Sequence, residues 1–93
     1  MEQAASSERR LERVVKGFAN RRRIQRMRLL EKQPELSLVE VCPLLRIGVK
    51  GGCEHLRELV LAGLVVKRSH GRWMRHRLTP RAGDILEVLT TLA

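Results

Sequence analysis

Cationic side chains are concentrated in residues 67–77, a stretch whose composition suits the binding of phosphate groups. The sequence KRSHGRWMRHR contains no Asp or Glu, and guanidinium and ammonium groups bind phosphate oxygens through charge-assisted hydrogen bonds. Alternation along an extended strand places Arg75 and Arg77 on one face. We weigh phosphate contact above the alternative of a solvated basic edge strand that prevents aggregation. The candidate contacts are Lys67, Arg68, His70, Arg72, Arg75 and Arg77.

Further candidate contacts fall in two predicted helices. Asn20 can cap a helix that extends to about residue 32. Arg22 and Arg23 lie in its first turn, where cations meet the positive end of the helix dipole and are mildly unfavourable. This cost gives some support to a phosphate-facing role, and a solvated run of charges is an equally weighted alternative. Lys50, Glu54 and Arg57 share one face of a later helix. Glu54 either accepts a hydrogen bond from a cytosine amine or pairs with Lys50 or Arg57.

The overall charge indicates a polyanionic partner. The 93 residues include 19 Lys and Arg against 10 Asp and Glu, a formal net charge of +9, and each phosphate that is neutralised releases a condensed counterion. The length suits one domain with one core, residues 1–93. An anionic membrane surface would attract the same charge, but the longest apolar run, 59–66, is too short to span a bilayer. With no apolar signal core near the N-terminus and only two cysteines, we expect a cytoplasmic protein.

Residues that support catalysis or metal binding lack the necessary spacing. Cys42 and Cys53 form no Cys-x-x-Cys pair and are expected to be small core or edge residues. His55, His70 and His76 have no carboxylate or thiol at metal-ligand spacing, and we expect His55 to be a hydrogen-bonded structural residue. We find neither a nucleophile–base arrangement nor a glycine-rich phosphate loop. The sequence therefore predicts no enzyme, no metal and no cofactor.

Start and stop signals predict two helices joined by a turn over residues 37–63. Ser37 and Glu40 form a capping box at the start of the first helix. A turn over 46–48 follows, in which Gly48 is free to take the positive φ that a sharp reversal needs. The second helix covers about 49–62, and Gly63 is a suitable left-handed stop.

A two-stranded β-hairpin is predicted to follow these helices. Residues 64–66 form one strand, 69–71 the tip and 73–78 the return strand, with Trp73 expected to anchor the hairpin to the core. A mostly α protein with this order has the plan of a winged helix-turn-helix. In that plan the second helix enters a major groove and the hairpin reaches the flanking backbone.

Terminal helices are predicted over 7–18 and 80–92. Residues 1–5 are expected to be frayed, Ser6 or Ser7 to cap the first helix, and Thr79-Pro80 to start the last. The apolar surface of the last helix is wider than one small core needs, which favours a dimer interface built from the terminal helices over packing of this helix against the first. The interface candidates are Leu11, Val14, Ile85, Leu86, Leu89 and Leu92.

Several short motifs, in order and spacing, resemble the ArsR-type winged helix-turn-helix repressors. These motifs are Ala19-Asn20, Glu35-Leu36-Ser37, His55-Leu56, Ala62-Gly63-Leu64-Val65 and Gly71-Arg72. The resemblance as a whole covers roughly residues 10–92. The resemblance implies a homodimeric transcriptional regulator that binds operator DNA, with the terminal helices in its dimer interface.

Two departures limit the resemblance. The Cys-x-Cys pair of metal-sensing members is replaced by Ser37 and Val39, so that thiolate site is absent. The predicted recognition helix begins Val49-Lys50-Gly51-Gly52, and its glycines each cost roughly 1 kcal/mol of helix stability relative to Ala. They could admit another backbone closely. Two alternatives therefore stay open: a sequence-independent architectural DNA binder and a winged-helix module for protein–protein interaction. No effector site is visible.

Overall fold

Helices and a small sheet alternate along the chain in the computed structural model, which describes residues 2–93 and their side chains from Ser7 onward. The elements are α1 (Glu2–Phe18), α2 (Arg21–Lys32), β1 (Leu36–Ser37), α3 (Leu38–Leu45), α4 (Val49–Leu61), β2 (Val65–His70), β3 (Trp73–Leu78) and α5 (Pro80–Leu92). None of the helices within 2–93 is long and apolar enough to cross a membrane.

Local capping bonds start the helices where the sequence predicts. The Asn20 side chain accepts hydrogen bonds from the backbone N–H groups of Arg22 and Arg23 at the start of α2. The backbone N–H of Ser37 donates to Glu40 Oε1 over 3.0 Å, and that of Glu40 to Ser37 Oγ over 3.4 Å. The capping box is therefore complete, and two N–H groups that α3 leaves without helical acceptors are satisfied.

The same agreement holds around α5. The Thr79 hydroxyl accepts from the backbone N–H of Ala82 and donates to the Gly63 carbonyl oxygen over 2.8 Å. Gly63 itself ends the preceding helix with φ +75°, as a left-handed stop requires. These contacts confirm the predicted start and stop signals.

One predicted helix start and one predicted turn conformation are wrong. Helix α1 begins at Glu2, so neither Ser6 nor Ser7 caps it. Residues 2–5, which the sequence predicts to be frayed, belong to this helix, and Met1 lies outside the described residues. In the turn after α3, Arg46 takes the left-handed conformation (φ 55°, ψ 49°). Gly48 is extended at φ −71° and serves as the N-cap of α4. The reversal therefore occurs at the C-cap of α3, two residues before the glycine.

The sheet has one strand more than predicted. Its order is β1-β3-β2, both pairs antiparallel, with Leu36 opposite His76. The strand β1 has only two residues, too short a pattern to detect in the sequence. The hairpin tip also differs from the predicted 69–71. His70 pairs with Trp73, so the loop consists of Gly71 and Arg72, with Gly71 at φ +62°. Trp73 is 44% exposed and is not the core anchor that we expected, because it sits at the far end of the wing.

The core lies between α2, α4, α5 and the base of the sheet. It consists of Met27, Leu30, Leu36, Val41, Leu56, Leu59, Leu64, Val65, Ala82 and Leu86. Helix α1 crosses α4 at Gly17, where an added Cβ would overlap that of Ala62. This close approach fixes α1 against the C-terminal end of α4 and leaves the N-terminal end of α4 clear.

Candidate nucleic-acid interface

Helix α4 presents its predicted contact residues on one exposed face. Lys50, Glu54 and Arg57 are all exposed, and their spacing of four and three residues stacks them along the helix. Leu56 and Leu59 are buried on the opposite face. The first turn of α4, with Lys50, is therefore open to a partner.

The two glycines of α4 differ in their surroundings. An added Cβ on Gly51 would meet nothing within 4 Å, whereas one on Gly52 would lie 2.5 Å from Cys42 Sγ and 3.1 Å from Leu38 Cδ1. The absence of a side chain at Gly52 thus makes room for the Cys42 and Leu38 side chains of α3. The close approach of a second backbone, which we considered from the sequence, is not what fills this position. Gly51 leaves open space next to Lys50.

Arg26 of α2 is fully buried beneath this part of α4, a feature the sequence analysis missed. All three of its guanidinium nitrogens lack a hydrogen-bond partner among the described residues. Burial lowers the pKa of Arg26, and the charges of Arg22 and Arg23 lower it further. Burial also raises the pKa of the Cys42 thiol. Arg26 therefore carries a charge that no neighbouring anion offsets.

Arg22 and Arg23 have different surroundings. Arg22 is exposed, but Arg23 is half-buried and donates through Nε to His55 Nδ1 over 3.2 Å. Its Nη1 donates to the carbonyl oxygens of Lys16 and Gly17 at 3.1 and 3.4 Å. A cation is favourable there because helix α1 ends at these carbonyls. Arg23 thus joins α1, α2 and α4.

His55 is a hydrogen-bonded structural residue, as the sequence indicated. Its Nδ1 accepts the bond from Arg23 and so carries no proton. Burial lowers the pKa of His55, and the nearby charges of Arg26 and Arg23 lower it further. Protonation at Nδ1 would remove the acceptor and break this link between α2 and α4.

The wing cations divide into side chains that have an ion-pair partner and side chains that have none among the described residues. Arg68 pairs with Glu35 at 3.0 Å. Arg75 is half-buried, pairs with Glu40 at 3.0 Å, and donates to the Glu35 carbonyl oxygen over 3.1 Å. The sequence pattern could not reveal these bonds, because Arg75 and Glu40 are far apart in the chain. The exposed basic side chains without such a partner among the described residues are Lys67, His70, Arg72 and Arg77.

His76 is buried at the base of the wing. Its Nδ1 lies 3.2 Å from the Leu36 carbonyl oxygen, so in this tautomer Nδ1 donates. Burial lowers the pKa of His76, against a smaller opposing effect of the bond to Leu36. The neutral imidazole therefore holds β1 to β3.

The terminal helices carry an exposed apolar surface. Of the six residues predicted for a dimer interface, Leu86 is 3% exposed and belongs to the core, which corrects that prediction. Val14, Ile85 and Leu89 are half-buried against the core. Leu11 and Leu92 are exposed, as are Val15 and Val88, which the sequence analysis did not select. An open cleft of about 540 Å³ runs between α1, α4 and α5.

The order of elements and their contacts define the fold as a winged helix-turn-helix. Helices α3 and α4 form the helix-turn-helix, and β2 and β3 form the wing beside it. In the part of the chain that the structure describes, no group of three His, Cys, Asp or Glu residues is placed to hold a metal ion.

Comparison with individual known proteins identifies relatives of this chain, although no family model matches its sequence. A putative arsenical resistance operon repressor ArsR from Halobacterium salinarum is 32% identical over 77 residues, which cover 82% of this chain. The chain spans 60% of the length of that curated relative.

Solved structures match the whole fold. The transcriptional regulator HlyU from Vibrio vulnificus is 30% identical, with a TM-score of 0.75 over 99% of this chain and 93% of that one. A homodimeric winged helix-turn-helix DNA-binding domain from Mycobacterium bovis, described as a possible ArsR-family regulator, has a TM-score of 0.90 at 22% identity, covering 99% of this chain and 85% of that one. The latter similarity concerns the fold. The chain belongs to the ArsR-type winged helix-turn-helix transcriptional regulators.

Proposed function

We propose that this protein binds double-stranded DNA as a symmetric homodimer and represses transcription. The observation that carries the proposal is the joint exposure of cations on α4 and the wing, at Lys50, Arg57, Lys67, Arg72 and Arg77. Two such elements side by side suit a major groove and its flanking phosphates. The names of the relatives, a repressor and transcriptional regulators, support the same function.

Each set of contacts has a distinct role in this proposal. Helix α4 enters the major groove, where Lys50 donates to guanine or phosphate and Glu54 accepts from a cytosine amine. Arg57 and Arg22 contact phosphates beside the groove, and the wing tip at Arg72 reaches the flanking backbone. His70, Lys67 and Arg77 add phosphate contacts along the wing.

Arg23, Arg68 and Arg75 have partners within the chain and are proposed to position the interface. Arg23 holds the start of α2 against α4, and Arg75 holds the wing against α3. The ion pair of Arg68 with Glu35 supports the same edge of the wing. Substitution of one of these arginines should therefore change mainly the geometry of the interface rather than the number of phosphate contacts.

The proposed dimer uses the terminal helices. Leu11, Val15, Val88 and Leu92 are large apolar residues exposed on α1 and α5, and burial of such a patch between two copies would remove it from water. Two copies would then present two α4 helices to successive major grooves.

The proposal includes no catalytic activity and a location in the cytoplasm. A sequence-independent DNA binder is the second candidate. Gly51 offers no side chain to the open space in front of it, and Lys50 is the single cation in the first turn of α4. That protein would bind through charge and DNA shape, with uniform phosphate contacts.

The test is a salt titration of binding to random-sequence duplex DNA, with analytical ultracentrifugation of the free protein. We expect a dimer whose affinity falls steeply with the logarithm of salt concentration. Unbound duplex at micromolar protein and about 50 mM salt, where non-specific binding is ordinarily measurable, would refute the proposal. The Lys50→Ala variant then separates the candidates: loss at a selected operator alone indicates base reading, and uniform weakening indicates the architectural binder.

A further inference from the structure

A buried cation without a counter-ion lies directly beneath the N-terminal turn of α4. Arg26 is 0% exposed, and its Nε, Nη1 and Nη2 have no hydrogen-bond partner in the described chain. An arginine cannot shed its charge within the pH range of folded proteins. Because an uncompensated buried charge is strongly unfavourable, such a group in a native fold calls for a physical explanation.

The neighbouring side chains supply no negative charge. Cys42 lies close by, but burial raises the pKa of its thiol, which donates weakly to the Gly48 carbonyl oxygen at 3.9 Å. Arg22 and Arg23 add positive charge around Arg26. This part of the domain is therefore strongly electropositive and would be stabilised by an anion.

The helix end above Arg26 is also without a cap. Gly48, the N-cap of α4, offers no side-chain hydrogen bond, and the first turn contains no acidic residue. The backbone N–H of Gly52 is bonded to the Gly48 carbonyl oxygen at 2.9 Å. The N–H groups of Val49, Lys50 and Gly51 precede it and have no intrahelical acceptor. Such a turn attracts anions through its N–H groups and its dipole.

The two features meet at the glycine pair. The Arg26 Nη2 atom lies 3.4 Å from the position that a Cβ of Gly52 would occupy, beside Cys42 Sγ and Leu38 Cδ1. Because Gly52 has no side chain of its own, the guanidinium approaches the backbone of the turn closely. On the outer side, Gly51 leaves open space for a ligand. A small anion seated on the turn would thus have N–H donors in front of it and a cation behind them.

We propose that the first turn of α4, residues 48–52, together with Arg26 forms a binding site for one phosphate-type oxyanion. The N–H groups and Lys50 contact the oxyanion, and Arg26 strengthens the site by its charge through the backbone of the turn. When the domain docks on DNA, the oxyanion is a phosphate of the DNA backbone; this last step rests on the proposed function. A free inorganic oxyanion is the other source of the same chemistry.

The site is tested by following backbone amide NMR signals of the free protein during titration with sodium phosphate, against sodium chloride at matched ionic strength. We expect saturable shifts at Val49, Lys50 and Gly51 that phosphate causes and chloride does not. Arg26→Met should weaken phosphate binding at least tenfold. Arg28→Met, which removes an exposed charge from the same helix, should leave it unchanged. Shifts that are absent, or equal in the two variants, would overturn the proposal.

A second variant keeps the test independent of any effect of Arg26→Met on folding. Gly51→Asp retains Arg26 and places a carboxylate in the open space above the turn, so it should abolish the phosphate-dependent shifts. Persistence of those shifts in Gly51→Asp would show that phosphate binds elsewhere and would overturn the site.

The source of the oxyanion is decided by the salt dependence of duplex binding. If the ligand is a DNA phosphate, Arg26→Met should lower the slope of log affinity against log salt by about one unit, while weakening all sequences alike. Phosphate binding with an unchanged slope would overturn the DNA assignment and identify a site for a free oxyanion. If the wild-type protein binds no duplex, the proposed function fails, and the phosphate titration still decides whether the site exists.

Discussion

Arg75 Nη1 donates to Glu40 Oε1 over 3.0 Å and so ties β3, the central strand of the sheet, to the first turn of α3. The same nitrogen reaches the carbonyl oxygen of Glu35 at 3.1 Å. The hydrogen bonds of Ser37, with a smaller contribution from Arg75, lower the pKa of Glu40. The orientation of the wing relative to the helix-turn-helix thus depends on a cation that strand alternation alone would assign to DNA.

The pair Arg75 and Arg77 allows positioning to be separated from DNA contact. Arg75→Gln should lower the melting temperature by a few degrees, since a half-exposed ion pair contributes modestly. Arg77→Gln removes a side chain with no ion pair in the described chain and should leave melting unchanged while reducing the salt slope of duplex binding by about one unit. Thermal melting and fluorescence anisotropy measure the two effects. Equal melting of both variants would contradict the role given to Arg75.

The adjacent glycines of α4 should respond oppositely to alanine. Gly51→Ala adds a methyl group in open space and should stabilise the protein by up to about 1 kcal/mol through helix propensity. Gly52→Ala places its Cβ 2.5 Å from Cys42 Sγ and should cost about 1–3 kcal/mol. Urea unfolding measures both. Adding Cys42→Ala to Gly52→Ala should recover part of the loss, and no recovery would refute the steric explanation.

Removal of the buried charge of Arg26 should stabilise the free protein. Methionine keeps much of the side-chain length and needs no hydrogen bonds, so Arg26→Met should raise the free energy of unfolding by about 1–3 kcal/mol. Arg28→Met, on the exposed side of the same helix, is the control and should change stability little. Urea unfolding in low-phosphate buffer gives the comparison. A less stable Arg26→Met protein would mean that the guanidinium is compensated in solution.

Stability should decline as the pH falls below about 6.5, the ordinary pKa of histidine. Burial holds the pKa of His76 below that value in the folded state, so the unfolded chain takes up the proton first. The stability is complete above about 6.5 and is lost as the pH falls towards the folded-state pKa. His55, whose pKa burial also lowers, acts in the same direction.

The contribution of His76 is measured by urea unfolding midpoints between pH 8 and pH 5. His76→Gln should flatten the decline in part, leaving the portion due to His55. His70→Gln changes an exposed residue of the wing and should keep the wild-type profile. Identical profiles for the two variants would contradict the assignment to His76.

A charge on the outer face of α5 should separate the proposed dimer into folded monomers. Val88 is 59% exposed in the single chain, so Val88→Asp should leave the protomer intact and shift sedimentation to the monomer. Val39 on α3 is equally exposed, at 58%, and Val39→Asp should remain dimeric. A dimeric Val88→Asp protein would exclude this face of α5 from the interface.

The elements that the sequence predicts are those that depend on neighbouring residues. Caps at Asn20, Ser37 and Thr79 and the stop at Gly63 involve bonds within a few positions, and the structure shows each of them. Apolar periodicity likewise identifies the buried faces of α2 and α4. Helix positions, the hairpin and the family resemblance follow from such local information.

Only the tertiary structure decides which cations are available to a ligand. Arg22, Arg23 and Arg26 are alike in the sequence, yet one is exposed, one joins three helices and one is buried without a partner. The strand β1 and the Arg75–Glu40 pair also arise between distant parts of the chain. The physical reason is that burial and ion pairing depend on how helices and strands pack. Charge and periodicity in the sequence determine the elements and the electropositive character, and packing determines which charges can bind.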